Sequence, residues 1–275
     1  MRYLGRLALV FFFSVFACAP LAHAEKRIAL LVGNQAYTSA IGALANPHSD
    51  VVLLERALKG LGFEVILERD LGLGSLTRAV NAYARRLRAA GGDAVGLFYY
   101  SGHGAADGGT NYLILVDVKS AEDGELWDQS LRLTEITRKL KDEAGNATYF
   151  VVFDACRNVL KLKKAGARGL LQSKGFVPVG QEPGMLIAYS TAQGGLASDL
   201  GEGADPYTKV LAEEIVKPGV EAVAMFRRVQ VGVRSTIGQE PWLGFSALGE
   251  VHLAGVEAPT PSALPPNPNP NRDIS

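Results

Sequence analysis

An α/β fold, with a mostly parallel sheet of about six strands covered by helices on both faces, is the fold class this sequence predicts. Two observations predict it. From residue 26 onward, short and almost wholly apolar runs alternate with longer segments whose apolar residues recur at helical spacing. Glycines punctuate the change from one to the other, and a run buried on both faces is what a parallel strand between two helical layers needs.

The elements follow in order. Residues 27–32 hold the run Ile-Ala-Leu-Leu-Val and stop at Gly33-Asn34, which reads as a buried strand. Residues 47–61 place Val51, Leu54, Leu58 and Leu61 on one helical face, closed by Gly60 and Gly62. Residues 63–67 are the second strand. Residues 76–90 form a helix whose Arg78, Arg85, Arg86 and Arg88 read as a solvated face rather than an anion site. Residues 93–101 are the third strand, and 112–116 a short extended piece. A helix over 133–141 leads to a strand over 149–154, and a fifth strand is expected over 185–190. Helices over 207–216 and 220–236 complete the pattern. Repeated strand–helix alternation makes such a sheet mostly parallel, and active sites then form beyond the carboxyl ends of its strands.

Two segments break the alternation. Residues 157–183 have little apolar periodicity, several glycines and the basic residues Arg157, Lys161, Lys163, Lys164, Arg168 and Lys174. A loop of that length inside one domain is functional or disordered. Residues 256–275 form a proline-rich end that reads as an extended, flexible tail. The first 24 residues carry Arg2 and Arg6, an apolar stretch from Leu7 to Cys18, and the small-x-small triplet Ala22-His23-Ala24, the pattern of a cleaved secretory signal. The apolar stretch is shorter than the ~20 residues of a membrane span. The chain is therefore expected to be exported, to a periplasm or beyond. A weaker reading, lipidation at Cys18, is disfavoured by Phe16. Residues 25–255 then form one domain.

Without Arg2 and Arg6 the chain holds 26 basic and 28 acidic residues, a net charge of −2. That balance gives no reason to expect nucleic acid or an anionic membrane as a partner. Removal of residues 1–24 takes Cys18 with it and leaves one cysteine, Cys156, so no internal disulfide can form. A retained thiol in an oxidising compartment is either buried and inert or useful. Its place decides between the two. Cys156 ends the apolar run Tyr149-Phe-Val-Val-Phe-Asp-Ala-Cys156, and 53 residues earlier His103 follows the run Leu97-Phe-Tyr-Tyr-Ser-Gly. A thiol and an imidazole, each at the end of an expected buried strand, suit a nucleophile with its base. The thiolate is the reactive species, and only histidine can accept and return its proton near neutral pH. His23 leaves with the signal, His48 opens a helix, and His252 lies at the end of the fold. Backbone N–H groups of Gly104 and Cys156 are placed to hold a developing oxyanion. Zinc would need three or four ligands, a redox dithiol a second cysteine, and a phosphate loop a Lys-Ser/Thr after its glycines. None is present, so cysteine-dependent acyl transfer remains.

Asp154-Ala-Cys156-Arg-Asn158, with Ser101-Gly-His103-Gly104 before it, resembles the caspase–metacaspase clan. The His-to-Cys spacing is one already described for caspases. Supporting segments are Ala29-Leu-Leu-Val-Gly-Asn-Gln-Ala-Tyr37, Leu44-Ala-Asn-Pro-His-Ser-Asp50, Ala188-Tyr-Ser-Thr-Ala192 and Gln239-Glu-Pro-Trp242. The resemblance, to bacterial caspase-like proteins above all, covers nearly all of residues 26–254. It implies a three-layer caspase-like fold and a cysteine-type endopeptidase with His103 and Cys156 as its catalytic dyad. It also implies a large portion of about 26–160 and a small portion of about 184–254, joined by the basic linker.

The departures from caspases bear on specificity. Asp154 stands where caspases have Gln, and Asp199 falls where they carry a pocket Arg. Two carboxylates suit a basic substrate side chain, and Asp154 matches the metacaspase form that cleaves after Arg or Lys. The expected partners are therefore protein or peptide substrates, together with the chain's own segment 157–183 in self-cleavage. No cofactor or metal is expected. The resemblance leaves calcium dependence open, and the sequence offers no compact cluster of oxygen ligands. Two other readings stand beside the endopeptidase. One is a caspase-fold binding or regulatory protein without turnover, and the other is acyl transfer to an acceptor other than water.

Overall fold

The computed structural model describes residues 25–122, 124–156, 161–163, 170–172, 183–191 and 203–256. The expected signal at 1–24, Cys18, Asp199, the proline-rich tail and most of the basic linker lie outside them. The first half runs β1 (Arg27–Gly33), α1 (Pro47–Gly60), β2 (Glu64–Arg69), α2 (Leu73–Ala90), β3 (Val95–Asp107), β4 (Thr110–Leu113), α3 (Glu125–Asp128), β5 (Leu131–Arg132) and α4 (Leu133–Ala144). It continues with β6 (Thr148–Cys156), β7 (Lys161–Lys163), β8 (Leu170–Gln172), β9 (Met185–Tyr189), α5 (Pro206–Glu214), α6 (Ala222–Ile237) and β10 (Trp242–Phe245).

The main sheet has the order β10-β9-β6-β3-β1-β2, parallel except for β10. The far end of β3 also pairs antiparallel with β4, which pairs with β5. The six-stranded, mostly parallel expectation therefore holds. Two cores, one on each face of the sheet, account for it. On one face, Leu30, Phe98, Tyr100, Val151 and Phe153 pack under the α2 stripe Leu76, Val80, Tyr83 and Leu87 and under Leu133, Ile136 and Leu140 of α4. On the other face, Leu31, Leu97, Tyr99 and Val152 pack under Val51, Leu54 and Leu58 of α1 and under buried residues of α5 and α6. Each fully buried Leu, Val or Phe contributes roughly 1.5–3 kcal/mol. The four arginines of α2 are exposed, and Arg86 and Arg88 pair with Glu64 and Glu143, as a solvated face requires.

Several differences have physical causes. β3 runs on to Asp107, so His103 lies within a strand rather than beyond it; β4 supplies the pairing that extends it. β10 escapes the apolar pattern because it is a four-residue edge strand, only partly buried. The basic linker, expected to be irregular, contains the antiparallel pair β7–β8.

Helix α1 approaches β1 closely. A Cβ on Gly33 would stand 2.5 Å from the Pro47 carbonyl oxygen, a backbone atom that cannot rotate away. Gly33→Ala is expected to lower stability by about 1–3 kcal/mol, read by urea denaturation. An unchanged midpoint would show that α1 can retreat without cost.

Candidate active site

The β3–β6 register ends with His103 directly beside Cys156, each at the carboxyl-end edge of the sheet. Neighbouring strands stand ~4.8 Å apart, so the two backbones are as close as a sheet allows. Two residues earlier the same register sets Ser101 beside Asp154. Gly104 follows His103 and pairs with Leu113 of β4.

The main chain of His103 is held on both sides. Its N–H donates to Tyr37 Oη at 2.8 Å, and its carbonyl accepts from Tyr100 Oη at 3.1 Å and from Ile114 N at 3.0 Å. The two phenols lie 3.1 Å apart and both reach the Ile114 carbonyl. The Tyr37 ring packs edge-on against the imidazole with centroids 4.6 Å apart. The imidazole Nε2 stands 2.8 Å from the Gly42 carbonyl oxygen. A carbonyl only accepts, so Nε2 carries the proton in the neutral ring and Nδ1 is the basic nitrogen. Gly42, at φ +94°, is in a conformation that side-chain-bearing residues rarely adopt. The orienting group for His103 is thus a backbone carbonyl. No polar side chain marks it, and sequence reasoning missed it.

Tyr37 is placed by the turn after β1. Asp70 accepts from the Gln35 and Ala36 N–H groups at 2.8 and 2.9 Å and pairs with His48 Nε2 at 2.9 Å. Burial alone would raise the Asp70 carboxyl, but those two N–H groups and the His48 ring outweigh it and hold it below the usual carboxylate range. Tyr37→Phe removes the acceptor of the His103 N–H. A lower melting temperature is expected, with kcat reduced and KM little changed. A change confined to KM would place Tyr37 in substrate binding instead.

Asp154 is buried, and it does not stand alone. Thr208 Oγ1 donates to its Oδ2 at 2.6 Å, and Tyr99 Oη lies 3.1 Å from the same oxygen and 2.5 Å from Thr208 Oγ1. Asp50, on the inner face of α1, accepts from Ser101 Oγ at 2.7 Å and from the Asp205 N–H at 2.6 Å. One ligand-type oxygen from each of Asp50, Asp154 and Asp205 lies within 4.8 Å of the others. Burial and then the charges of Asp154, Asp50 and Asp205 hold the Tyr99 phenol well above its ordinary range; burial and Asp154 do the same to Tyr207. Both phenols therefore stay protonated. Asp50 and Asp205 were not foreseen. Asp50 carried a signal, because it lies four residues before Leu54 on the apolar stripe of α1, whereas Asp205 reads as an ordinary residue before a helix.

No helix among the described residues is long and apolar enough to cross a membrane. The fold is similar to that of the structure of pro-Sf-caspase-1, with a TM-score of 0.63 at 15% identity, over 92% of this chain and 99% of that one. A stretch of 134 residues is 28% identical to the mucosa-associated lymphoid tissue lymphoma translocation protein 1 homolog of Mus musculus; it spans 49% of this chain and 15% of that protein. Residues 26–252 match the family model of the caspase domain, which is most of the chain. The chain belongs to the caspase-domain family.

Proposed function

We propose that the protein is an exported cysteine endopeptidase that cuts after Arg or Lys, with Cys156 as nucleophile and His103 as base. The observation that carries this reading is the acidic cluster on the Asp154 rung, two residues along the register from the rung where His103 and Cys156 stand side by side. Buried carboxylates are reached by a long side chain with a charge at its tip, and an acidic tip would be repelled. Asp154 and Asp50 are assigned to hold that tip, and Asp199 is assigned to the same pocket.

In the proposed reaction His103 Nδ1 accepts the thiol proton, and the thiolate adds to the carbonyl carbon of the scissile bond. The oxyanion is held by the N–H groups of Gly104 and Cys156. As the C–N bond breaks, His103 returns the proton to the leaving amine. Water, deprotonated by His103, then attacks the thioester; the carboxylic acid leaves and the thiol is reformed. The Gly42 carbonyl keeps the ring in the tautomer these transfers need. Self-cleavage within 157–183, processing of residues 1–24 and a periplasmic or secreted location belong to the same proposal. A mixed peptide library, with products identified by mass, tests it. Cleavage after Arg and Lys is expected, and preferential cleavage after Asp would overturn it.

A further inference from the structure

The acidic cluster has a feature that holding a basic side chain does not require. Asp205 is the N-cap residue of α5, where a carboxylate ordinarily accepts from the helix N–H groups, yet its side chain makes no capping bond. Its carboxylate stands with those of Asp50 and Asp154, and all three are buried. Asp50 accepts from Ser101 Oγ and the Asp205 N–H, and Asp154 from Thr208 Oγ1, which leaves the carboxylates close together. Like charges this close repel one another, and a cation between them relieves that repulsion.

A second observation at the same place concerns Ser190. It is 1% exposed, and its Oγ has no hydrogen-bond partner among the described residues. The Ser190 N–H donates to the Phe153 carbonyl, which carries the β6–β9 register one residue further and sets Ser190 beside Asp154. Tyr189 packs on the face that holds Phe153 and Ala155, and Ala188 on the opposite one. Alternation then turns Ser190 to the face of Asp154. A buried hydroxyl without a partner is costly, and here it is an oxygen donor aimed at the cluster.

We propose that Asp50, Asp154, Asp205 and Ser190 Oγ form a site for a hard divalent cation, for which calcium is the probe. All four donors are oxygens, the ligands of calcium, magnesium and manganese rather than of zinc or copper. The three carboxylate oxygens lie within 4.8 Å of one another, close enough for one calcium ion with ligands at ~2.4 Å to reach all of them. The bound ion occupies the carboxylates assigned to the basic side chain, so it acts as a competitive inhibitor. That consequence, unlike the binding itself, rests on the endopeptidase reading.

The test is calcium titration of the full chain carrying Cys156→Ala, followed by calorimetry, with agmatine as a competing guanidinium. One calcium per chain is expected, displaced by agmatine and weakened at least about tenfold in Asp205→Asn. Ser190→Ala is expected to weaken it several-fold, and it supplies the comparison should Asp205→Asn fail to fold. With wild-type enzyme, calcium should raise KM for an Arg peptide and leave kcat unchanged. Absence of saturable binding at millimolar calcium, or binding indifferent to both substitutions and to agmatine, overturns the site. Calcium binding in a chain that cuts no basic peptide would overturn the peptidase reading and leave the site standing.

Discussion

Replacing Cys156 by Ala is expected to abolish cleavage of basic peptides, and His103→Gln to reduce kcat/KM by at least about 10³-fold. Gln is the informative replacement for the histidine. It is close to the imidazole in volume, and its amide N–H can still donate to the Gly42 carbonyl, but it cannot accept a proton. The main chain at that position is fixed independently of the ring, by Tyr37, Tyr100 and Ile114. The variant should therefore melt close to wild type, which separates lost chemistry from lost fold. Alkylation of Cys156 by a small neutral thiol reagent should slow as well, since the thiolate loses its base. Undiminished cleavage in Cys156→Ala would remove the nucleophile from the proposal.

The second large effect is expected at Asp154. Asp154→Asn keeps an oxygen that accepts from Thr208 and Tyr99 and removes only the charge. Losing one partner of a buried charged pair costs about 2–5 kcal/mol, so kcat/KM for an Arg peptide should fall by about 10²-fold. Alkylation by the small neutral reagent should not change, because that reagent places nothing in the pocket. Unaltered cleavage after Arg would show that Asp154 serves only to seat Tyr99 and Thr208.

Much of this architecture was legible from residue order because the interior strands are buried on both faces. β1, β6 and β9 each read as an apolar run bounded by turn residues, and α1, α2 and α4 each carry one apolar stripe. Edges were harder to read. β10 is short and half-buried, so its residues carry no clear alternation, and β3 is prolonged by a partner that becomes its neighbour only in the fold. At the candidate site, His103, Cys156 and Asp154 stand out in the sequence because each departs from an apolar run, and the register brings their positions close together. The Gly42 carbonyl was not, because a backbone group has no letter of its own. Asp205 was hidden for another reason, since an acidic residue before Pro206 has a sufficient local explanation as a helix cap.

The hydrogen bond from the Asp205 N–H to Asp50 joins residues 155 positions apart. It has a consequence for the order in which the molecule is made. Chain emerging from synthesis can pair β1, β3 and β6, and so bring the His103 and Cys156 positions together, before α5 exists. The acidic pocket cannot close until α5 has been laid against α1. Contacts this distant in sequence form late and slowly. A nascent or truncated chain that ends at β6 therefore has the positions of the proposed dyad without the complete acidic cluster proposed to select the substrate.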